Sequence, residues 1–196
     1  VSINIFPTDE HEVLKKIVDG FKHFSLANIS CTNALLTKTK ETTAFLKDLN
    51  EQISKDDTAN LYVIHGTPRL DTVGIDSISY SASFLELISE NNFTCSLEGA
   101  FPYFEINDVI KSRIEKLGLK KVQVVPLLLV SGNHYINDMF EIKDDLADKF
   151  ESFIVPSLTQ SEQFNLIELP MVQNIIEKNI QNTFKMMGIS HKEITY

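Results

Sequence analysis

Residues 121–139 read KVQVVPLLLVSGNHYINDM, and the fold turns on this stretch. Val122, Val124, Val125, Leu127, Leu128, Leu129 and Val130 make a near-continuous apolar run. Such a run suits a strand covered on both faces, as in a parallel sheet between helices. Ser131, Gly132 and Asn133 break it, and His134 follows at once. In open parallel α/β sheets, ligands bind beyond the carboxyl ends of the strands. His134 therefore stands where a working side chain is expected.

Two other stretches share the design. NLYVIHG at 60–66 ends a short apolar strand on His65, with Gly66 next. FTCSLEG at 93–99 ends another on Glu98, with Gly99 next. Any one of the three reads equally well as an ordinary polar residue opening a loop. Three in successive βα units point to a site, because neighbouring strands would bring His65, Glu98 and His134 to one rim.

Outward from these strands the pattern alternates. Helices are expected over about 73–90, 104–117 (stopped by Gly118) and 137–149, with strands at 60–65, 93–98 and 121–130. A further strand is expected at 151–155 or 164–169, and 171–187 reads as an amphipathic last helix. Before them, residues 1–7 alternate like a strand that stops at Pro7. Thr8, Asp9 and Glu10 then start a helix over about 9–24 striped by Val13, Leu14, Ile17, Val18 and Phe21. A short strand at 26–31 and a helix over 39–54 follow, and the polar stretch from Ser54 to Asn60 is the best candidate boundary. The fold class is α/β, a parallel sheet flanked by helices.

Composition narrows the function. The 196 residues are 43% hydrophobic, enough for a real core. With 27 acidic against 18 basic residues, the net charge of -9 argues against nucleic acid as main partner. An anionic small molecule stays compatible, since a local field can oppose the net charge. Cys31 and Cys95 lie too far apart for a zinc module and read as small buried thiols. No apolar run approaches the ~20 residues of a membrane span and no signal-peptide pattern opens the chain, so a cytoplasmic location without membrane contact is expected. Homo-oligomerisation is left open.

Two imidazoles and a carboxylate on strand ends suit a divalent cobalt, iron, nickel or zinc ion. With coordination positions left over, such a site is catalytic or transient in type. The carboxylate of Glu98 can instead take a proton. Of the remaining ionisable residues, His11 and His23 read as solvated helix positions and His191 as part of a polar tail. Asn137 and Asp138 read as caps of the helix after His134, with Asp138 a candidate partner for that imidazole. Lys143, Asp144, Asp145, Asp148 and Lys149 read as a solvated helix face.

VIHGTP, SLEGAFPY and VVPLLLVSGNHYINDM, in that order, resemble the three signature regions of the anaerobic cobalt chelatase of cobalamin synthesis, sirohydrochlorin cobaltochelatase. The likeness runs from about Leu61 to Met139 and continues more faintly in FPTDEHEVL. It implies a chelatase-like fold of two Rossmann-like halves with a tetrapyrrole in the cleft between them. The S-F-G-T-like turn and first βαβ stretch that open the family are not among these residues. Residues 1–57 are thus expected to be the remnant or C-terminal part of an incomplete first half, and 58–196 the second half with the metal site.

By the same resemblance, His65 and His134 match the metal-binding and proton-handling histidines and Glu98 the active-site glutamate. Divalent cobalt is the implied substrate metal, with iron or nickel as alternatives and no organic cofactor. Phe101 and Tyr103 are candidates to pack on a tetrapyrrole face, and Arg69 to meet a substrate carboxylate. The alternatives are a non-catalytic metal- or tetrapyrrole-binding protein and ferrochelatase-type iron insertion.

Overall fold

The structure, a computed structural model, describes residues 1–130, 132 and 135–189. His134 and His191 lie outside the described residues. The chain opens with α1 (Asp9–Lys22) and α2 (Thr39–Ile53). β1 (Thr58–Gly66), α3 (Ile75–Ile88), β2 (Asn92–Glu98), α4 (Tyr103–Lys116) and β3 (Lys121–Leu127) then alternate. A π-helical turn at Tyr135–Met139 runs into α5 (Phe140–Leu146), followed by β4 (Glu151–Ile154), a 3-10 turn at Leu166–Glu168, and α6 (Pro170–Met186).

The strands form one parallel sheet in the order β2-β1-β3-β4. Leu61, Val63, Val122, Val124 and Val125 are fully buried, as strands covered on both faces require. Alternation sorts the side chains by face. Asn60, Tyr62, Asn92 and Gln123 reach α2 and α3, while Phe93 lies under Arg113 of α4, 5.0 Å from ring centre to guanidinium. Register is pinned by a buried amide ladder at the amino ends of the strands. Gln123 donates to Asn60 (2.5 Å), Asn60 to Asn92 (2.8 Å), and Asn92 to the Leu85 carbonyl (2.8 Å). A one-residue slip would leave these amides unpaired in the core.

Several expectations are corrected. β3 stops at Leu127 rather than 130, at the last residue it pairs with β1 (Ile64), and on its other side β4 pairs only as far as Ile154, opposite Val124. Beyond that point β3 has an open side, which also explains how Pro126 is tolerated there. Leu129 leaves the sheet and its carbonyl accepts the Ile167 amide (3.0 Å), so 164–169 supplies a 3-10 turn and not a strand. Residues 1–7 form no strand, although Leu35 and Leu36 donate to the Asn4 and Ile5 carbonyls (3.0 and 2.7 Å). Residues 26–31 are irregular. The helix expected at 137–149 begins as the π turn, so Asn137 and Asp138 lie inside that turn. α5 has Met139 at its N-cap, without a side-chain cap.

α1 also sits the other way round. His11 is only 2% exposed, whereas Val13, Ile17 and Phe21 face solvent. His11 Nδ1 meets Ser2 Oγ at 2.9 Å, and the Ser2 amide donates to Thr32 Oγ1 at 2.7 Å. The helix therefore holds down the N-terminal segment with a polar contact instead of its apolar stripe. Among the described residues, no helix is long and apolar enough to cross a membrane.

The ends of β1 and β2 meet more closely than side chains permit. Gly66 and Gly99 have φ of +86° and +83°. A Cβ on Gly66 would lie 1.9 Å from the Glu98 carbonyl oxygen, and one on Gly99 1.6 Å from that of Thr67. Gly66→Ala and Gly99→Ala are each expected to lose more than about 2 kcal/mol by urea unfolding. Gly118→Ala, at φ +73° with open space around it, is the control and should lose about 1–2 kcal/mol from backbone strain alone.

Burial, with Lys15 adding and Glu12 opposing, lowers the pKa of His11 from its ordinary 6.5. The unfolded chain then binds more protons just below pH 6.5, so stability falls as pH drops through that value. Urea midpoints at pH 7.5 and 5.5 should differ more for the wild type than for His11→Gln.

Candidate active site

The connections out of β1 and β3 run in opposite directions, since β1 leads to β2 on one side and β3 to β4 on the other. The crevice between their carboxyl ends is the topological switch point, where α/β sheets bind ligands. A cleft of about 160 Å³ opens there. Its sheet side is His65, Gly66, Leu127, Leu128 and Leu129, and its other wall is the N-terminal segment with Asn4, Phe6, Thr8 and Glu10. Gly74, which starts α3 at φ +90°, seats that wall, because a Cβ there would lie 2.4 Å from the Pro7 carbonyl.

His65 ends β1 and Glu98 ends β2, where Gly66 pairs with Glu98. The close approach of the two glycine turns brings their side chains together. His65 Nδ1 lies 3.8 Å from Glu98 Oε1, with the side chains 34% and 47% exposed. That is too long for a hydrogen bond. Adjacent donors on one ion, each about 2.1 Å from the metal, stand roughly 3.0–3.4 Å apart. A small side-chain rotation therefore lets imidazole and carboxylate share either a proton or a dication. Among the described residues, no three His, Cys, Asp or Glu side chains come together closely enough to hold a metal ion. The third expected donor, His134, is outside those residues.

The other candidates separate. Phe101 lies in the β2–α4 turn beside Glu98, 38% exposed, and its ring is open to contact. Its amide donates to Ser96 Oγ (3.1 Å), and its carbonyl accepts the Ser96 amide (2.7 Å). Tyr103, by contrast, is 1% exposed and its ring sits edge-on to Phe104 at 5.1 Å. Its hydroxyl donates to Asp145 (2.7 Å), so its ring face packs in the core and not on the rim. Arg69 is exposed and gripped by Asp71 through both sides of its guanidinium (Nε–Oδ1 2.9 Å, Nη2–Oδ2 2.7 Å). Asp71, and to a smaller extent Asp9 at the start of α1, raise its pKa further.

Two features escaped the sequence reading. Asn4, Thr8 and Glu10 are not singled out as site residues by the sequence; Thr8 and Glu10 fall in FPTDEHEVL, where the resemblance is faint, and Asn4 lies outside any motif. Asp145 was grouped with a solvated face, yet it points inward to Tyr103, Lys111 and Asn107. Burial works to raise the Asp145 pKa. The hydrogen bonds from Lys111, Tyr103 and Asn107 outweigh it and hold the carboxyl below its ordinary range. A signal existed: Asp145 falls on the same helical stripe as Ile142 and Leu146, both fully buried. Beyond β4, the segment 157–165 winds round Glu168, which accepts from Thr159, from Ser161 Oγ (2.5 Å) and from Asn165 (3.3 Å).

No curated protein matches the chain. A family model described as "Cobalt chelatase (CbiK)" matches residues 1–185. With nearly the whole described chain inside that match, and the expected α/β parallel fold in place, the protein belongs to the cobalt chelatase (CbiK) family.

Proposed function

We propose that this cobalt chelatase inserts divalent cobalt into a sirohydrochlorin-like tetrapyrrole, as a step of cobalamin biosynthesis. The observation that carries this reading is the His65–Glu98 pair, 3.8 Å apart, of which His65 lines the crevice between β1 and β3. In this reading residues 58–196 form the half that holds the metal, and residues 1–57 are the end of the other half.

Metal insertion exchanges two pyrrole N–H protons for one dication, leaving the macrocycle core neutral. The chain must hold the ion as it sheds water and must accept the protons. His65 and His134 hold the metal on one face of the ring and Glu98 takes protons as they leave. A carboxylate at 47% exposure can pass a proton on to solvent. Strand ends suit the task, because donors fixed by a sheet do not follow the ion back into water. Phe101 offers an apolar ring to the macrocycle.

The chain's net charge of -9 repels a polycarboxylate substrate, so a local cation is needed near the mouth. Arg69 fits that need, and Asp71 already occupies its guanidinium in the geometry a substrate carboxylate would take. An exposed pair of this kind exchanges partners readily.

Anaerobic cobalt insertion, followed by the absorbance of the tetrapyrrole, tests the site. His65→Ala, His134→Ala and Glu98→Gln should each slow insertion by about a hundredfold or more. Rates equal to wild type in all three would overturn the assignment. Asp71→Asn should lower the KM for the tetrapyrrole by up to about fivefold, and Arg69→Gln should raise it, both with kcat unchanged.

A further inference from the structure

We propose that Tyr103, Lys111 and Asp145 form a positioning cluster that sets the distance between the Glu98 turn and the π turn Tyr135–Met139 that runs into α5. The inference rests on the site proposed above. All three donors converge on one atom: Asp145 Oδ2 accepts from Tyr103 Oη (2.7 Å), Lys111 Nζ (2.8 Å) and Asn107 Nδ2 (3.2 Å). The Lys111 side chain is only 8% exposed, and Tyr103 is buried outright.

Each end of the cluster is tied to a strand-end turn. Tyr103 opens α4 directly after the turn that begins at Glu98. That turn is closed by both Ser96–Phe101 hydrogen bonds and by a parallel bridge from Ser96 to Pro102. A shift of Tyr103 is thus a shift of Glu98. Asp145 belongs to α5, which continues the π turn Tyr135–Met139 without a break. Met139, Ile142 and Leu146 are fully buried, so α5 moves with that turn as one piece.

Energetics say why this is more than packing. Taking a lysine and an aspartate out of water costs about as much as their attraction gives back, and apolar residues of similar size often hold a fold as well. Ile142 and Leu146 already bury α5 on the sheet. What an apolar contact lacks is direction, and three donors on one oxygen allow a single placement of α5 against α4. The cluster fits a requirement for position better than one for stability.

The test compares the double variant Lys111→Met/Asp145→Leu and the single variant Tyr103→Phe with the wild type. Melting temperature, kcat and KM for cobalt insertion are measured, with amide exchange at 99–102 and 135–139. We expect melting temperatures close to wild type, kcat at least tenfold lower in the double variant and about threefold lower in Tyr103→Phe, and KM within twofold. Exchange should quicken at both turns, and Lys111→Arg should keep most of the rate. Unchanged kcat with unchanged exchange at both turns overturns the proposal, as does a kcat loss that only follows melting temperature. Should the double variant not fold, Tyr103→Phe decides by the same readings. Failure of the underlying site reading looks different: insertion would then be indifferent to His65→Ala and Glu98→Gln, whatever the exchange at the two turns.

Discussion

The site depends on two backbones that approach more closely than any side chain would allow. At the carboxyl ends of β1 and β2, Gly66 lies against the Glu98 carbonyl and Gly99 against that of Thr67. Each glycine takes the left-handed conformation that a Cβ would strain, and each removes the atom that would hold the turns apart. The residues just before them, His65 and Glu98, are thereby brought within 3.8 Å of each other. The chemistry of the rim begins as a steric fact about its main chain.

Opposite constraints act at the two ends of the same strands. At the amino ends, Gln123, Asn60 and Asn92 form a ladder of buried amides that fixes register. At the carboxyl ends β1 and β2 stay in close contact, while the crevice between β1 and β3 opens to the N-terminal segment. A register error at the polar end would displace every donor at the working end by one position and to the other face. The amides that fix register and the side chains proposed for the chemistry thus lie at opposite ends of the strand axis.

Much of this was legible in the sequence. Apolar strands ending in His65 and Glu98, each followed by glycine, announced both the parallel sheet and the rim. The pattern is local, and burial on both faces leaves a direct mark on composition. What was not legible depended on partners distant in the chain. His11 is buried because Ser2 meets it, and Tyr103 turns inward because Asp145 accepts its hydroxyl. β3 ends where its pairing with β1 ends, at Leu127 opposite Ile64, a property of another segment altogether. The stripe on α1 was read correctly as a stripe, but nothing in its spacing told which side would face solvent. His134, the residue on which the first reading turned, lies outside the described residues.

The segment around Glu168 carries a consequence of a different kind. Its carboxylate gathers hydroxyl and amide donors from Thr159, Ser161 and Asn165, all within the same short loop. The polar stretch therefore satisfies its own polar groups, while Phe164, Leu166 and Leu169 beside it are buried in the hydrophobic core. Such a stretch can be lengthened, shortened or rewritten between its apolar anchors while the barrier to evolutionary change in the strands and the core stays high. Diversity among descendants of this architecture is free to accumulate there, with the parallel sheet unaltered.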